Sequence, residues 1–320
     1  MPCKDESIRR GALLIGADDT DSAAKRPLPD GTEFYYTPNV WLDGGRDKTT
    51  AVEGAEITFN VRVENGGTVP LDDIHIEVFP CDYTVGPLPA GMLVRGAFTG
   101  RDRHVLDPGQ KRVIRSDGVW VPTAQQVSLN NGHLCLAVNC FATNPDDGTE
   151  LLPGTPILPL CDSHHAQRNI ALVAAPPGTI VPHKVALWGM AEGIDQPPVE
   201  EIVIQTEPKT EPPTHPGEEF GPGDLDLIDS GPFGPEFADF TVSRSTKKPR
   251  YEALAMNVPD VGRGRELRVE VSPEEPRIGV LEIAVGADEV PGSVQIYDTI
   301  GRDARTGSVL GGARMLVMAI

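Results

Sequence analysis

Six cysteine and histidine side chains in the middle of the chain are the residue types best suited to chemistry. They are His133, Cys135, Cys140, Cys161, His164 and His165. Thiolate and imidazole groups are preferred zinc ligands, and four of them from two segments can form a closed tetrahedral site. Cys135, Cys161, His164 and His165 are therefore the candidate metal ligands. The chain has no Cys-x-x-Cys pair, so the spacing matches no standard zinc motif.

Strand geometry separates two of these cysteines, because Cys135 and Cys140 point to opposite faces of an ideal strand and cannot reach one ion without a bulge. Three interpretations stay open: buried cysteines that serve as small apolar side chains, structural zinc, or a disulfide. The chain has five cysteines. An odd count without a secretory signal does not indicate a disulfide framework. We expect no cofactor.

A cysteine nucleophile is a further hypothesis, with Cys161 activated by His164 or His165. These offsets would align on a helix, but Pro159 disfavours a helix there. A reactive cysteine also needs a lowered pKa and a supporting group, and neither is visible in the sequence. Gly-x-Ser-x-Gly, His-Glu-x-x-His and phosphate-loop motifs are absent from the sequence. We therefore expect a protein that is not an enzyme.

Two oxygen-rich segments and three tryptophans offer weaker signals. Residues 18–21 and 144–148 could bind Ca²⁺, but neither has the ligand spacing of an EF-hand, and the second is more simply a turn. The tryptophans are Trp41, Trp120 and Trp188. We expect them in the core or at a domain junction, with an exposed platform for a glycan as the alternative.

The elements that must position these residues are predicted to be strands. The 320 residues include 34 glycines and 31 prolines, which is typical of short strands with many turns. Residues 57–63 and 74–78 alternate between apolar and polar side chains, and we predict that they pair as antiparallel strands. Further strands are predicted at 111–115, 134–141 and 170–173.

These patterns predict an all-β protein with two antiparallel β-sandwich domains joined by an acidic Pro-rich linker. The predicted ranges are a polar N-terminal arm over 1–33, a sandwich over 34–190, a linker over 191–236 and a second, smaller sandwich over 237–320. The linker combines prolines with acidic residues, a composition that cannot form a helix or a central strand. Within it, residues 199–205 could add an edge strand to a neighbour.

Four stretches of the first domain carry a resemblance to a known family. They are Pro38-Asn-Val-Trp41, Val61-Arg-Val-Glu-Asn-Gly-Gly67, Gly132-His-Leu-Cys-Leu-Ala-Val138 and His165-Ala-Gln-Arg-Asn-Ile170. Together they resemble bacterial Ig-like modules of the cell-adhesion-related (CARDB-like) type, as found in actinobacteria. At His164-His165 this chain departs from relatives that have two asparagines. The resemblance implies an Ig-like fold and a binding or spacing role, and it implies no enzymatic activity.

Charge limits the classes of partner. Lys and Arg number 28 against 47 Asp and Glu, a net charge of −19, so we expect no nucleic-acid partner. No run of about 18 apolar residues occurs, so we expect no membrane insertion. No signal peptide is recognisable, which predicts a cytoplasmic protein. Signal-independent export, or export as part of a particle, is the alternative.

The sequence therefore predicts a non-enzymatic binding or structural accessory protein that presents Ig-like modules to a protein partner. Glycan recognition is a related alternative. Two other classes stay open. One is a component of a larger particle, such as a phage, injection-system or coat assembly. The other is a metal-binding or catalytic protein that uses the Cys/His residues.

Overall fold

The computed structural model describes most of the two predicted sandwiches. The described residues are 3, 10–18, 21–22, 24–29, 31–46, 48–89, 97–127, 132–152, 155–191, 198–208, 255–288 and 294–320. Most of the predicted acidic linker and the first part of the predicted second sandwich lie outside them.

The described chain is built almost entirely of strands, which confirms the all-β class. The first twelve strands are β1 (Leu13–Leu14), β2 (Val40–Asp43), β3 (Thr58–Asn65), β4 (Asp72–Asp82), β5 (Thr84–Val85), β6 (Phe98–Asp102), β7 (Lys111–Arg115), β8 (Leu134–Asn144), β9 (Asp146–Asp147), β10 (His165–Ala175), β11 (Ile180–Leu187) and β12 (Glu201–Pro208). The last six are β13 (Ala255–Val258), β14 (Gly262–Gly264), β15 (Glu266–Glu270), β16 (Arg277–Ala284), β17 (Val294–Asp303) and β18 (Val309–Ala319).

Helix contributes very little to the described chain. A single four-residue turn of helix, α1 (Ala124–Val127), lies between β7 and β8. None of the helical structure in the described residues has the length and apolar character needed to cross a membrane.

The first sandwich packs a sheet of β1, β2, β3 and β7 against the β6-β4-β8-β10 strands of a larger sheet. β3 is central in the smaller sheet, with β7 on one side and β2 and β1 along the other. Alternate apolar residues of both sheets fill one core, because a strand turns every second side chain to the same face. Phe59 and Val61 enter this core from β3, and Ile74 and Ile76 enter it from β4.

The predicted pairing of the strands at 57–63 and 74–78 is wrong. Both strands form, but β3 pairs with β1, β2 and β7, whereas β4 pairs with β6 and β8. Their apolar faces meet across the core instead of lying side by side. Alternation records that one face of each strand is buried, and it does not record which sheet the strand joins.

The second sandwich packs β15-β12-β17-β18 against the sheet β14-β13-β16-β11-β5. Its core includes residues that precede the predicted second domain. Tyr83, Val85, Val185 and Leu187 all belong to it. β12, within the predicted linker, pairs with β15 on one side and β17 on the other, so it is an interior strand and not an edge.

β10 joins the two sandwiches, because it belongs to both. Its first half, residues 165–169, pairs antiparallel with β8. Its second half, residues 170–175, pairs parallel with β18 in a register of six residue pairs. The resulting nine-stranded sheet runs through both sandwiches. The four predicted domain ranges stay a prediction. β5 and β11 precede the predicted limit at residue 190, but they belong to the second sandwich.

Candidate functional site

The structure gives Cys161 a covalent partner. Its sulfur forms a disulfide with Cys3, 158 residues earlier in the sequence. The disulfide was one of the three interpretations left open for the cysteines, and the odd cysteine count gave no sign of it. The pairing depends on the N-terminal segment folding back onto the loop before β10. A sulfur in a disulfide is neither a thiolate ligand nor a nucleophile.

His164 lies beside that disulfide, between two carboxylates. Its Nδ1 is 2.7 Å from Asp162 Oδ1, and its Nε2 is 3.4 Å from Asp147 Oδ1. Burial opposes the charged imidazole, but the two carboxylates outweigh burial and raise the pKa of His164 to about 9. At neutral pH the ring is therefore a buried cation with both nitrogens facing carboxylates. It has no nitrogen left for a metal or for general-base chemistry.

The same group of residues holds the N-terminal segment in place. The Gly11 amide donates to Ser163 Oγ at 3.1 Å, and the Ile15 amide donates to the Ser163 carbonyl at 3.1 Å. The Leu13 amide donates to the Asp147 carboxylate. We name Asp147, Asp162, Ser163 and His164 the N-terminal clamp. Its polar atoms hold residues 11–15 against the first sandwich, with Leu13 and Ile15 in the core.

The side chains of His165 and Cys135, the other two candidate ligands, contact groups outside the clamp. The Leu158 amide donates to His165 Nδ1 at 3.0 Å, and burial lowers the pKa of this histidine, so it is neutral. Cys135 is on β8, where Gln167 Nε2 contacts its sulfur at 3.5 Å. Burial raises the pKa of Cys135 to about 12. Across the described residues, no three His, Cys, Asp or Glu side chains are grouped so that they could hold a metal.

The remaining candidates also have structural partners. His133 Nδ1 is 3.0 Å from Thr50 Oγ1, and Cys140 is in the core of the first sandwich. In the first oxygen-rich segment, Asp21 forms a two-point ion pair with the buried Arg26, with contacts of 2.8 and 3.0 Å. In the second, Asp147 belongs to the N-terminal clamp. The proposed calcium ligands are thus committed to protein groups at these two aspartates.

A buried ion pair of the second sandwich also binds the segment that precedes β2. Arg314 on β18 contacts Asp298 on β17 through two bonds of 2.9 Å. Its guanidinium also bonds Glu33 at 3.0 Å and lies 3.6 Å from the ring centroid of Tyr36. We name Glu33, Tyr36, Asp298 and Arg314 the junction network. It ties the segment before β2 to strands at the end of the chain.

Sequence reasoning missed the junction network, although a signal was present. Arg314 is the one charged residue of the otherwise apolar β18, and the β17–β18 register places Asp298 of β17 directly opposite it. Buried charges are rare unless they are paired, so an acidic and a basic residue at opposite positions of two strands indicate an ion pair. Tyr83 from the end of β4 adds to this region by donating its hydroxyl to the Arg314 carbonyl at 2.9 Å.

A small apolar cavity lies between the loop before β10 and the second sandwich. Its volume is about 40 Å³. The lining includes Phe34, Leu158, Leu160, Met190, Val199 and Leu310. Asp303 supplies a carboxylate at its wall. The volume is of the order of a few water molecules, so the cavity is too small for a typical organic ligand.

The outer face of the β2-β3-β7 sheet has a different character. Trp41 is half-buried on this face, and the Arg62 guanidinium lies 5.7 Å from the centre of its ring. Three exposed valines come from β7 and the segment after it. They are Val113, Val119 and Val121, which are 46%, 53% and 51% exposed. We name Trp41, Arg62, Val113, Arg115, Val119 and Val121 the Trp41 face.

The Trp41 face differs from what the sequence predicted for the tryptophans. Trp120 and Trp188 are buried, as expected. Trp41 instead points away from the core, because its neighbours Val40 and Leu42 are the residues that β2 buries. The buried Trp120 pairs with Ile57, so Val119 and Val121 point outward on either side of it.

Comparisons with known proteins assign no family. No family model matches the chain, and no curated protein matches its sequence. The CARDB-like type therefore stays a prediction. Among solved structures, the CupB6 tip adhesin of Pseudomonas aeruginosa is 9% identical with a TM-score of 0.21, and the match covers 88% of this chain and 99% of that one. The collagen adhesin of S. aureus is 10% identical with a TM-score of 0.21, covering 88% and 91%.

A protease is also among the similar structures. The secreted serine protease VesC of Vibrio cholerae is 8% identical with a TM-score of 0.20, and the match covers 78% of this chain and 48% of that one. Similarity at this level assigns no function to the present chain.

Proposed function

We propose that this chain is a non-enzymatic binding protein that uses the Trp41 face to dock a protein partner. The observation that carries the proposal is the composition of this face. Trp and Arg are the residues most enriched among those that dominate protein–protein affinity. Here the Arg62 guanidinium lies over the Trp41 ring, and Arg62 pairs with the exposed Val113 on an acidic chain.

The charges on the Trp41 face favour an acidic partner surface. Arg62, Lys111 and Arg115 are on this side of the sheet, in a chain whose net charge is −19. Lys111 pairs with Glu64 at 3.2 Å and Arg115 approaches Asp43 at 3.7 Å, both near the surface where such pairs are weak. A partner carboxylate could exchange with either acid at little cost. The proposed partner therefore places an apolar side chain on the valines and a carboxylate near the arginines.

The rest of the molecule supports a presenting role. The strand β10 is common to both sandwiches, and in the junction network Arg314 bonds Glu33, which ties an early segment of the chain to β18. A rigidly held binding surface lowers the entropy cost of binding. A component of a larger particle is one form of this proposal, with another subunit as the partner.

The disulfide bears on where the protein works. The cytoplasmic location stays a prediction from the sequence alone. Stable disulfides are typical of oxidising compartments and rare in the cytosol, so the Cys3–Cys161 bond favours the alternative of export. We propose that the chain meets its partner outside the reducing cytosol.

The test is capture of a partner by the full chain, with surface variants as baits. Val113→Glu combined with Val119→Glu places like charge opposite an acidic partner while leaving the core intact. The matched control is Ile180→Glu, at an apolar β11 residue that is 64% exposed. Wild type and control are expected to retain one stoichiometric partner, and the double variant to lose at least about 90% of it, because each misplaced charge costs more than a tenfold change in affinity.

Cross-linking sharpens the same experiment. Lys111 borders the Trp41 face, and its side chain is 49% exposed, so cross-links from it to the partner are expected. Equal capture by the double variant would place the interface elsewhere. A correctly folded wild type that captures no partner would overturn the proposed function.

A further inference from the structure

Two cysteines outside the known disulfide lie directly opposite each other. The β4–β8 register pairs Cys81 with Cys135. Directly opposed residues of antiparallel strands share a face, with Cα atoms about 4.5–5.5 Å apart. A disulfide needs Cα atoms about 4.4–6.8 Å apart. The bonded pair Cys3–Cys161 has a Cα separation of 5.8 Å. The backbone at Cys81 and Cys135 therefore permits a bond without a change of register.

The third cysteine thiol, Cys140, does not face another cysteine across the β4–β8 pair. Cys140 lies five residues further along β8, on the other face of the strand, and its cross-strand partner is Ile76. It packs in the core of the first sandwich, whereas Cys81 and Cys135 pack together in a separate apolar cluster. That cluster also contains Phe79, Leu88, Ala137, Ile157, Ala186 and Trp188.

The surroundings determine when the pair could react. Both thiols are buried, with Cys81 1% and Cys135 0% exposed. The Cys81 sulfur lies 3.2 Å from the Phe79 carbonyl, and the Cys135 sulfur lies 3.5 Å from Gln167 Nε2. Once Trp188 and Ile157 cover the sheet, neither an oxidant nor a reductant can reach the sulfurs. Their redox state is thus set during folding, when β4 and β8 have paired and the cover has not closed.

We propose that Cys81 and Cys135 form a second, cross-strand disulfide when the chain folds under the oxidising conditions that give Cys3–Cys161. With oxidised glutathione as the oxidant, the thiolate of one cysteine attacks its S–S bond and releases one glutathione thiolate. The second cysteine then attacks the chain sulfur of the mixed disulfide and releases the other. The chain loses two electrons to the glutathione disulfide, and the two cysteine protons end on two glutathione thiols.

The test counts thiols in the full chain after refolding with glutathione redox buffer. The chain is denatured, alkylated with N-ethylmaleimide without reduction, and mapped by mass spectrometry. The expected result is one alkylated cysteine, Cys140, together with a peptide that links Cys81 to Cys135. The Cys3–Cys161 peptide is the internal control, because its presence shows that the oxidant was sufficient.

Two variants make the result specific. Cys140→Ala is expected to leave no alkylated cysteine, and Cys135→Ala is expected to leave two, with Cys3–Cys161 unchanged in both. The proposal is overturned if Cys81, Cys135 and Cys140 are all alkylated while Cys3–Cys161 is intact. A linkage of Cys81 to Cys140 would overturn it as well.

Discussion

The N-terminal clamp and the junction network solve the same problem with different cations. Each uses a buried positive side chain between two carboxylates to hold an early segment of the chain against later strands. The clamp uses His164, whose charge can be lost at mildly alkaline pH. The junction uses Arg314, whose charge is permanent in proteins. The stability that His164 adds to the docking of residues 11–15 therefore depends on pH, whereas the stability that Arg314 adds to the junction network does not.

Breaking the junction network should cause the largest loss of stability. Arg314→Met removes the two-point partner of Asp298, which is fully buried. Breaking a buried pair in this way costs about 3–5 kcal/mol, because a charge is left in an apolar environment. Urea unfolding at pH 7 measures the loss. Adding Asp298→Asn to the same variant removes the second charge and should recover part of the stability, and no recovery would assign the loss to packing instead.

Removal of the disulfide beside the clamp should cause the next largest loss of stability. It closes a loop of 158 residues, for which the chain-entropy model gives roughly 5 kcal/mol, and measured values are more often about 2–4 kcal/mol. Cys3→Ala is expected to lower the free energy of unfolding within that measured range. Wild type and variant should give the same urea titration when both are in reductant. Equal stability of oxidised wild type and variant would contradict this account.

The pH dependence distinguishes the two centres directly. The pKa of His164 is raised from 6.5 to about 9, so its stabilising contribution is complete below pH 6.5 and is lost as the pH rises through about 9. The loss is at most about 3.5 kcal/mol, at about 1.4 kcal/mol per pKa unit. Unfolding free energies of wild type and His164→Gln, measured at pH 6 and pH 10, should converge at the higher pH.

The junction supplies the control for that measurement. The penalty of Arg314→Met should be the same at pH 6 and pH 10, because the guanidinium does not titrate in this range. On the acid side, burial opposes ionisation of Asp162, but the neighbouring His165 and His164 lower its pKa from 3.8 to about 2, so this carboxylate's contribution is present above pH 3.8 and is lost as the pH falls through about 2. A His164→Gln difference that stays constant from pH 6 to pH 10 would refute the charged clamp.

A methyl group at Gly11 should have the smallest effect. A Cβ there would collide with the His164 ring, so the docked segment or the ring must shift. Gly11→Ala is expected to cost about 1–3 kcal/mol, the usual range for overpacking. Gly118→Ala is the matched control, because a Cβ at Gly118 meets nothing within 4 Å, and it should change stability by less than about 0.5 kcal/mol. Thermal unfolding of the two variants, side by side, decides the comparison.

Local pattern predicted strands well and their partners poorly. The predicted strand at 111–115 is β7, and the predicted central strand at 134–141 lies within β8, which has partners on both sides. Alternation and apolar content are local properties, so one sequence suffices to find them. The assignment of β3 and β4 to opposite sheets depends on contacts across the core, which no local pattern records.

The candidate site shows the same contrast: the sequence pointed to individual residues but not to their distant partners. The sequence drew attention to Cys161 and His164, and the structure places both where the N-terminal segment docks. Their partners are Cys3 and Asp147, and no spacing rule links residues so distant in the sequence. The Trp41 face was missed for a related reason, since burial of Val40 and Leu42 decides where the tryptophan points.

The parallel pairing of β10 with β18 has a consequence for the order of events during synthesis. β18 follows all the other described strands along the chain, and β10 precedes it by more than one hundred residues. As the chain leaves the ribosome, the second half of β10 has no β18 to pair with until these late residues emerge. An unpaired edge of this kind invites association with other chains, and long-range pairing is slow. If synthesis stops before residue 309, the second half of β10 is left as an unpaired strand edge. We therefore expect the nascent protein to bind chaperones.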